Sequence, residues 1–242
     1  MCIRDSTTDA QSGAAHALFD SIVGWSNGDF NSDYVSWMWK RGQSFDLVTY
    51  NGTGVAKHVG HSLGAEPDMM WVKERDSAGT EWKVYHRDIG PTNVPRLNND
   101  LAAETSQTIF QSTDPTSTRF FVQSSLSGAG ASYIAMLFKS VSGISKVSSY
   151  TGTGSGGLSV TTGFQPRFLL IKRADAGSTN WLVFDSVRGF ASGDDSQLSL
   201  DSDIAAVTNT DFGQFTSTGF TINETYAEIN NNGGNYLYYA HA

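Results

Sequence analysis

The sequence has 242 residues, of which 39% are hydrophobic and only 17% charged, with 25 glycines and a net charge of -8. That length holds one large or two ordinary domains, and the acidic balance without any Lys/Arg cluster argues against nucleic acid as a partner. No apolar run approaches the roughly 18 residues of a membrane helix, so no membrane insertion is expected, and low charge with abundant Gly, Ser, Thr and Asn favours short strands over helices.

The chain opens with MCIRDS, Met1 to Ser6. These six residues can be encoded by ATG TGT ATA AGA GAC AG plus one base, which looks like a transposon-derived sequencing adapter read through in frame. On that reading 1–6 is an artefact, the native start lies upstream, and Cys2, the single cysteine, disappears together with any disulfide or cysteine metal site. Residues 7–44 follow. Their DYVSWMWKR, Asp33 to Arg41, has the form of a closing strand, and Lys40 stands five residues before Phe45. The segment is expected to be the C-terminal remnant of an upstream repeat.

From Phe45 onward the pattern is that of strands: FDLVTY (Phe45 to Tyr50), DMMWVKE (Asp68 to Glu74), EWKVYH (Glu81 to His86), RFFVQ (Arg119 to Gln123) and SYIAMLFK (Ser132 to Lys139). All are short and rich in aromatic and β-branched residues, with Gly, Asn, Asp, Ser or Pro between them. Alternation in EWKVYH sets Trp82, Val84 and His86 on one face and Lys83 and Tyr85 on the other. Small helical pieces are expected at 14–22, 101–105 and 204–207, none with a sustained helical period.

The same pattern then returns. VTYNGTG (Val48 to Gly54) recurs as SSYTGTG (Ser148 to Gly154), PDMMWVKERD (Pro67 to Asp76) as PRFLLIKRAD (Pro166 to Asp175), and EWKVYH as NWLVFD (Asn180 to Asp185). TSTRFFV (Thr116 to Val122) faces TSTGFTI (Thr216 to Ile222), and ASYIAMLFK (Ala131 to Lys139) faces GNYLYYAHA (Gly234 to Ala242). Five matches in order at a spacing of about 100 residues describe a tandem duplication of sandwich-sized units. The expected fold is all-β: two tandem antiparallel β-sandwich (jelly-roll-like) repeats, 45–143 and 144–242, preceded by the truncated third copy. Trp82 and the matched Trp181 are expected to anchor the core of their own unit.

Between the first two strands lies GHSLG, Gly60 to Gly64, the Gly-x-Ser-x-Gly pattern of a hydrolase nucleophile elbow. The elbow needs a helix directly behind the serine, and here Pro67 and then Met69 to Val72 predict a strand instead. At a 99-residue spacing Ser62 falls on Thr161. Ser62 is therefore read as an incidental residue of a turn, and no catalytic residue is assigned.

Other chemistry finds weaker footing. His58, His61 and His86 lack matched partners in the second copy, so no metal site is assigned and no cofactor is expected. The acidic stretches GDDSQLSLDSD (Gly193 to Asp203) and NETYAEINNNGG (Asn223 to Gly234) offer oxygen ligands without EF-hand spacing, and are read as solvated loops, with surface calcium as the competing reading. Paired carboxylates of a depolymerase are a further reading, which the first copy does not repeat. Asn-, Asp- and Tyr-rich loops such as Asn230 to Tyr236 are candidate acceptors of sugar hydroxyls, with no contact residue identified.

Taken together, YVSWMWK, FDLVTYNGTG, VGHSLGAEPDMMWVK, EWKVYH and DPTSTRFFV resemble a repeated β-domain of unknown function in structural and tail-fibre-like proteins of tailed bacteriophages. Such domains often lie beside laminin-G or concanavalin-like modules. The resemblance covers Asp33 to Ala242. It implies a non-enzymatic virion or tail-fibre role as spacer or host-surface adhesin, a homotrimer through the parent fibre, and a host-surface glycan as partner. The alternative is a carbohydrate-binding module of a secreted, extracellular bacterial protein.

Overall fold

The computed structural model describes residues 37–242, together with the backbone of two short paired strands, β1 (Leu18–Asp20) and β2 (Gly24–Ser26). The adapter reading of 1–6 and most of the upstream remnant lie outside the described residues. Trp37 to Lys40, expected to close a strand, run without strand pairing.

The described residues form an all-β protein of antiparallel sheets, none of them closed. The first half contributes β3 (Phe45–Asn51), β4 (Lys57–Gly60), β5 (Met69–Glu74), β6 (Lys83–His86), β7 (Arg119–Val122) and β8 (Ser132–Phe138). They make a four-stranded sheet in the order β3-β8-β5-β6 and a two-stranded sheet, β4-β7. The second half contributes β9 (Ser145–Thr151), β10 (Leu158–Thr161), β11 (Phe168–Arg173), β12 (Leu182–Asp185), β13 (Asp195–Ser199), β14 (Val207–Thr210), β15 (Gly213–Thr216), β16 (Gly219–Ile222) and β17 (Asn235–His241). Their large sheet runs β14-β13-β12-β11-β17-β9 and their small one β10-β16-β15. The shared order is β3-β8-β5-β6 against β9-β17-β11-β12. At the place of β13 the first half has only a bridge between Lys83 and Arg96.

The twice-written Tyr-x-Gly-Thr-Gly has one structural cause. Tyr50 pairs across the sheet with Tyr133 and Tyr150 with Tyr236, and both ring pairs stack at 5.0 Å, with interplanar angles of 9° and 10°. The Tyr50 hydroxyl donates to the Leu126 carbonyl and that of Tyr150 to Ile229. At the third position a Cβ would meet a carbonyl oxygen, Gly128 O 2.0 Å from Gly52 and Asn231 O 2.2 Å from Gly152, so only glycine fits. The chain then returns through Gly54 and Gly154, both left-handed at φ +82° and +67°. The expected helical pieces at 101–105 and 204–207 are not helices: the first is irregular apart from a bridge at Glu104, and the second leads into β14. Around 14–22 the described part is strand β1.

Three apolar clusters explain the burial. Val59, Phe120 and Val122 of the small sheet meet Met70, Val72, Tyr85, Tyr133, Ala135 and Leu137 of the large one, and the second half repeats this around Val160, Phe220, Ile222, Leu169, Ile171 and Tyr238. The third cluster joins the halves. Met69, Trp71, Trp82 and Val84 lie in it with their counterparts Phe168, Leu170, Trp181 and Val183, so the outer faces of the two large sheets share one core. Here the expectation for Trp82 and Trp181 is corrected: they fill this joint, not the core of their own unit. Strands β5 and β11 are covered on both sides, which explains why they are continuous apolar runs without alternation.

Trp39 wedges into the joint, with its ring 5.5–6.5 Å from those of Phe45, Trp71, Phe138, Phe168 and Tyr239. Trp37 packs on Phe168 and donates from Nε1 to Asp185. Polar bonds cross the joint as well: Trp181 Nε1 donates to Arg96 O at 2.8 Å, Thr179 N to Asp100 O at 3.1 Å and Ala103 N to Ala174 O at 2.9 Å.

Candidate functional site

The GHSLG turn is where the sequence most resembles a catalytic site. Strand β4 ends at Gly60, the chain turns through Gly64 at φ +73°, and β5 begins at Met69 without an intervening helix. Ser62 is exposed, and its main-chain N–H donates to Asp46 Oδ2 at 2.8 Å. His61 is committed on both ring nitrogens: Nε2 lies 3.0 Å from the Thr116 carbonyl, which requires it to donate, and Nδ1 accepts from Leu63 N at 3.3 Å. A serine, a histidine and an aspartate are thus neighbours, yet neither imidazole nitrogen is left to take a proton from the Ser62 hydroxyl.

Asp46 organises this turn. Its side chain is 3% exposed and also accepts from Arg41 and from Leu47 N. Burial alone would raise its pKa; the Ser62 N–H, Arg41 and the Leu47 N–H outweigh burial and hold the carboxyl below its ordinary value. The hollow beside it, about 370 Å³ and open to solvent, is lined by Arg41, Gly42, Gln43, Asp46, Ser62 and Leu63. Hydrogen bonding also corrects the register of the comparison. His61 N and Thr162 N donate to Thr118 O and Thr218 O, so the counterpart of Ser62 is Gly163, not Thr161.

The remaining candidates separate under the same scrutiny. His58 packs edge-on against Phe121, while His86 is buried with Nδ1 accepting from Asp88 N. The three histidines do not converge, and among the described residues no group of three or more His, Cys, Asp or Glu is placed to hold a metal. Burial of His86 pushes its pKa down to about 4, against the opposing pull of Asp88 and Asp68.

Two of the acidic residues expected in solvated loops are instead held within the fold. Asp195 is 1% exposed and accepts from Ala191 N and Gly213 N. Asp201 caps Trp181 N, as Asn98 caps Trp82 N in the first half. In the Asn230 to Tyr236 loop, Asn230 is fully buried, with its amide binding Thr153 N, Ser155 O and Glu224 O. Tyr236 is fully buried too, its hydroxyl accepting from Asn231 N and donating to Ala227 O. These two residues close the Thr-Gly turn as Ser127 and Tyr133 do in the first half, and offer nothing to a sugar.

A pair of buried lysines was not singled out from the sequence. Lys73 and Lys172 are 4% and 0% exposed, and each donates to the carbonyl and hydroxyl of a threonine, Thr80 and Thr179. Burial pushes Lys172 down to about 8, with Asp201, Asp100 and Glu228 opposing. Their signal was the lysine shared by MMWVKE and FLLIKR, at the end of runs otherwise wholly apolar.

Comparison with known proteins adds one match. Residues 19–242 match the family model described as a domain of unknown function, DUF7483. No curated protein and no solved structure matches the chain.

Proposed function

The chain belongs to the DUF7483 family, and on that premise we propose that it is a non-enzymatic structural module of a bacteriophage virion or tail-fibre-like appendage, acting as spacer or host-surface adhesin. Its architecture in this reading is two tandem β-sandwich, jelly-roll-like repeats, 45–143 and 144–242, after the tail of a third. The observation that carries the reading is how the duplicated polar residues are used. Tyr50 and Tyr150, Ser127 and Asn230, Asn98 and Asp201, Lys73 and Lys172 all hold their own turns and strands, as befits a mechanical element. The common core between the large sheets supports a stiff spacer, because neither half can pivot without uncovering Trp82, Trp181 and their neighbours.

The test is to read the source DNA upstream of codon 7. Further copies in one long reading frame among virion assembly genes support the proposal, while a signal peptide followed by a catalytic domain refutes it. Sedimentation of the parent protein adds a second arm: a trimer supports the fibre and a monomer counts against it. The alternative reading, a carbohydrate-binding module of a secreted bacterial protein, draws on the outward face of β4 and β7.

A further inference from the structure

We propose that the outward face of the β4-β7 sheet binds an acidic polysaccharide, with Phe121 as the platform for a sugar ring and Arg119 as the partner of its carboxylate. This deepens the adhesion part of the reading above and rests on it. In an antiparallel pair successive side chains alternate between faces, so β4 and β7 show one face to the core and one to water. The core-facing residues Val59, Phe120 and Val122 are matched in the second half by Val160, Phe220 and Ile222. The water-facing ones are not matched. The first half pairs His58 with Phe121 and Gly60 with Arg119, where the second pairs Ser159 with Thr221 and Thr161 with Gly219.

The duplication therefore acts as an internal control for the ring. Ser159 and the half-buried Thr221 stand in the second half where His58 and Phe121 stand in the first, so the strand pair does not require an aromatic ring there. Gly219, by contrast, is buried and a Cβ would meet Val160 O at 2.0 Å, so no side chain fits at the place of Arg119. The first half nonetheless places a half-buried Phe121 at the surface, with His58 edge-on at 4.8 Å and the exposed Arg119 guanidinium lying over its ring at 5.8 Å from the centroid, so a sugar takes the ring face only as this exposed side chain swings off it. Arg119, like Arg167, forms no ion pair with any described residue, whereas Arg41, Arg87, Arg96, Arg173 and Arg188 each hold a carboxylate. Opposite it, Gly60 contributes no side chain, although a Cβ there would meet nothing nearer than Thr118 O at 3.9 Å.

A pyranose packs its C–H face on an aromatic ring, and a guanidinium binds a carboxylate through two parallel N–H bonds. Together they select a sugar acid over a neutral sugar. The chain's net charge of -8 opposes a polyanion at long range, a repulsion largely screened beyond about 8 Å at physiological salt. Contact at one such site is weak, and avidity along a polymer requires several first-half units on one parent protein.

The experiment measures retention of the whole chain on polygalacturonate and on neutral dextran, at low and high salt. The variants Phe121→Thr and Arg119→Gly install the residues of the second half, Arg119→Lys retains charge without the fork, and Thr221→Ala is the control. Near-UV circular dichroism confirms folding. The expected result is salt-sensitive retention on polygalacturonate alone, weakened about tenfold or more by Phe121→Thr and by Arg119→Gly, less by Arg119→Lys, and unchanged by Thr221→Ala. Absence of retention by the unaltered chain, or retention unchanged in the first two variants, overturns the site. Either failure leaves the virion reading standing, because that is decided by the genes upstream.

Discussion

Trp39 provides the sharpest test of the joint. Truncating it to alanine removes a ring that touches aromatic residues of both halves at once, Phe45, Trp71 and Phe138 on one side and Phe168 and Tyr239 on the other. A tryptophan carries 150–250 Å² of surface, of which this half-buried one covers on the order of 100 Å², or about 2.5 kcal/mol at ~25 cal/mol per Å². The lost edge-to-face contacts and the cavity bring the expected cost to about 3–4 kcal/mol, within the range for large aromatic truncations. Urea unfolding followed by tryptophan fluorescence and far-UV circular dichroism measures it. The transition should move to lower urea with both probes still coincident, because the halves lose the same wedge. The neighbouring Met38→Ala, at a side chain 61% exposed, should stay within about 0.5 kcal/mol. A loss below about 1 kcal/mol for Trp39→Ala, or separate transitions for the two halves in the unaltered protein, would refute the shared core.

Gly152→Ala forces a Cβ against Asn231 O and Tyr236 and should cost more than about 3 kcal/mol by thermal melting, whereas Gly64→Ala, strained only by its φ, should cost about 1 kcal/mol. His86, at about 4 folded against 6.5 unfolded, leaves the unfolded chain with more bound protons between those values. Stability should therefore climb from pH 4 to 6.5 by up to about 3 kcal/mol, and His86→Gln should flatten that part of the urea-midpoint profile. Lys172 acts in the same direction at higher pH: at about 8 folded against 10.5 unfolded, it makes stability rise through that window, a rise that Lys172→Met should abolish. Its upper end is blunted by tyrosines such as Tyr238, pushed up to about 12, whose titration lowers stability above pH 10. A fluorophosphonate probe should leave Ser62 unlabelled, as read by peptide mass spectrometry, since His61 has no nitrogen free to activate it.

Much of the fold was legible in the residues. The five runs read as strands contain β5, β6, β7 and β8 and all of β3 but Asn51, and the alternation Trp82, Val84 against Tyr85 separates the two cores as the side chains do. The joint was not foreseen, because alternation tells which residues share a face and not what that face meets. Its sign was MMWV and FLLI, where alternation fails because both faces are covered. The polar loops misled for a related reason. Asn230 and Asp195 belong to residue types that bind ligands on a surface and accept turn amides in an interior, and composition does not separate the two roles. Alignment of Asn230 with Ser127 would have done so, since a serine filling the same place argues for turn closure.

The joint also sets a limit. The two halves meet through the same face of equivalent sheets, so the contact is self-complementary and closes on itself. A third copy appended to the chain finds that face already taken on both, and cannot extend the stack by the same contact. Any further contact through that face would have to uncover Trp82, Trp181 and their neighbours first, so the joint is saturated by the two halves it already holds.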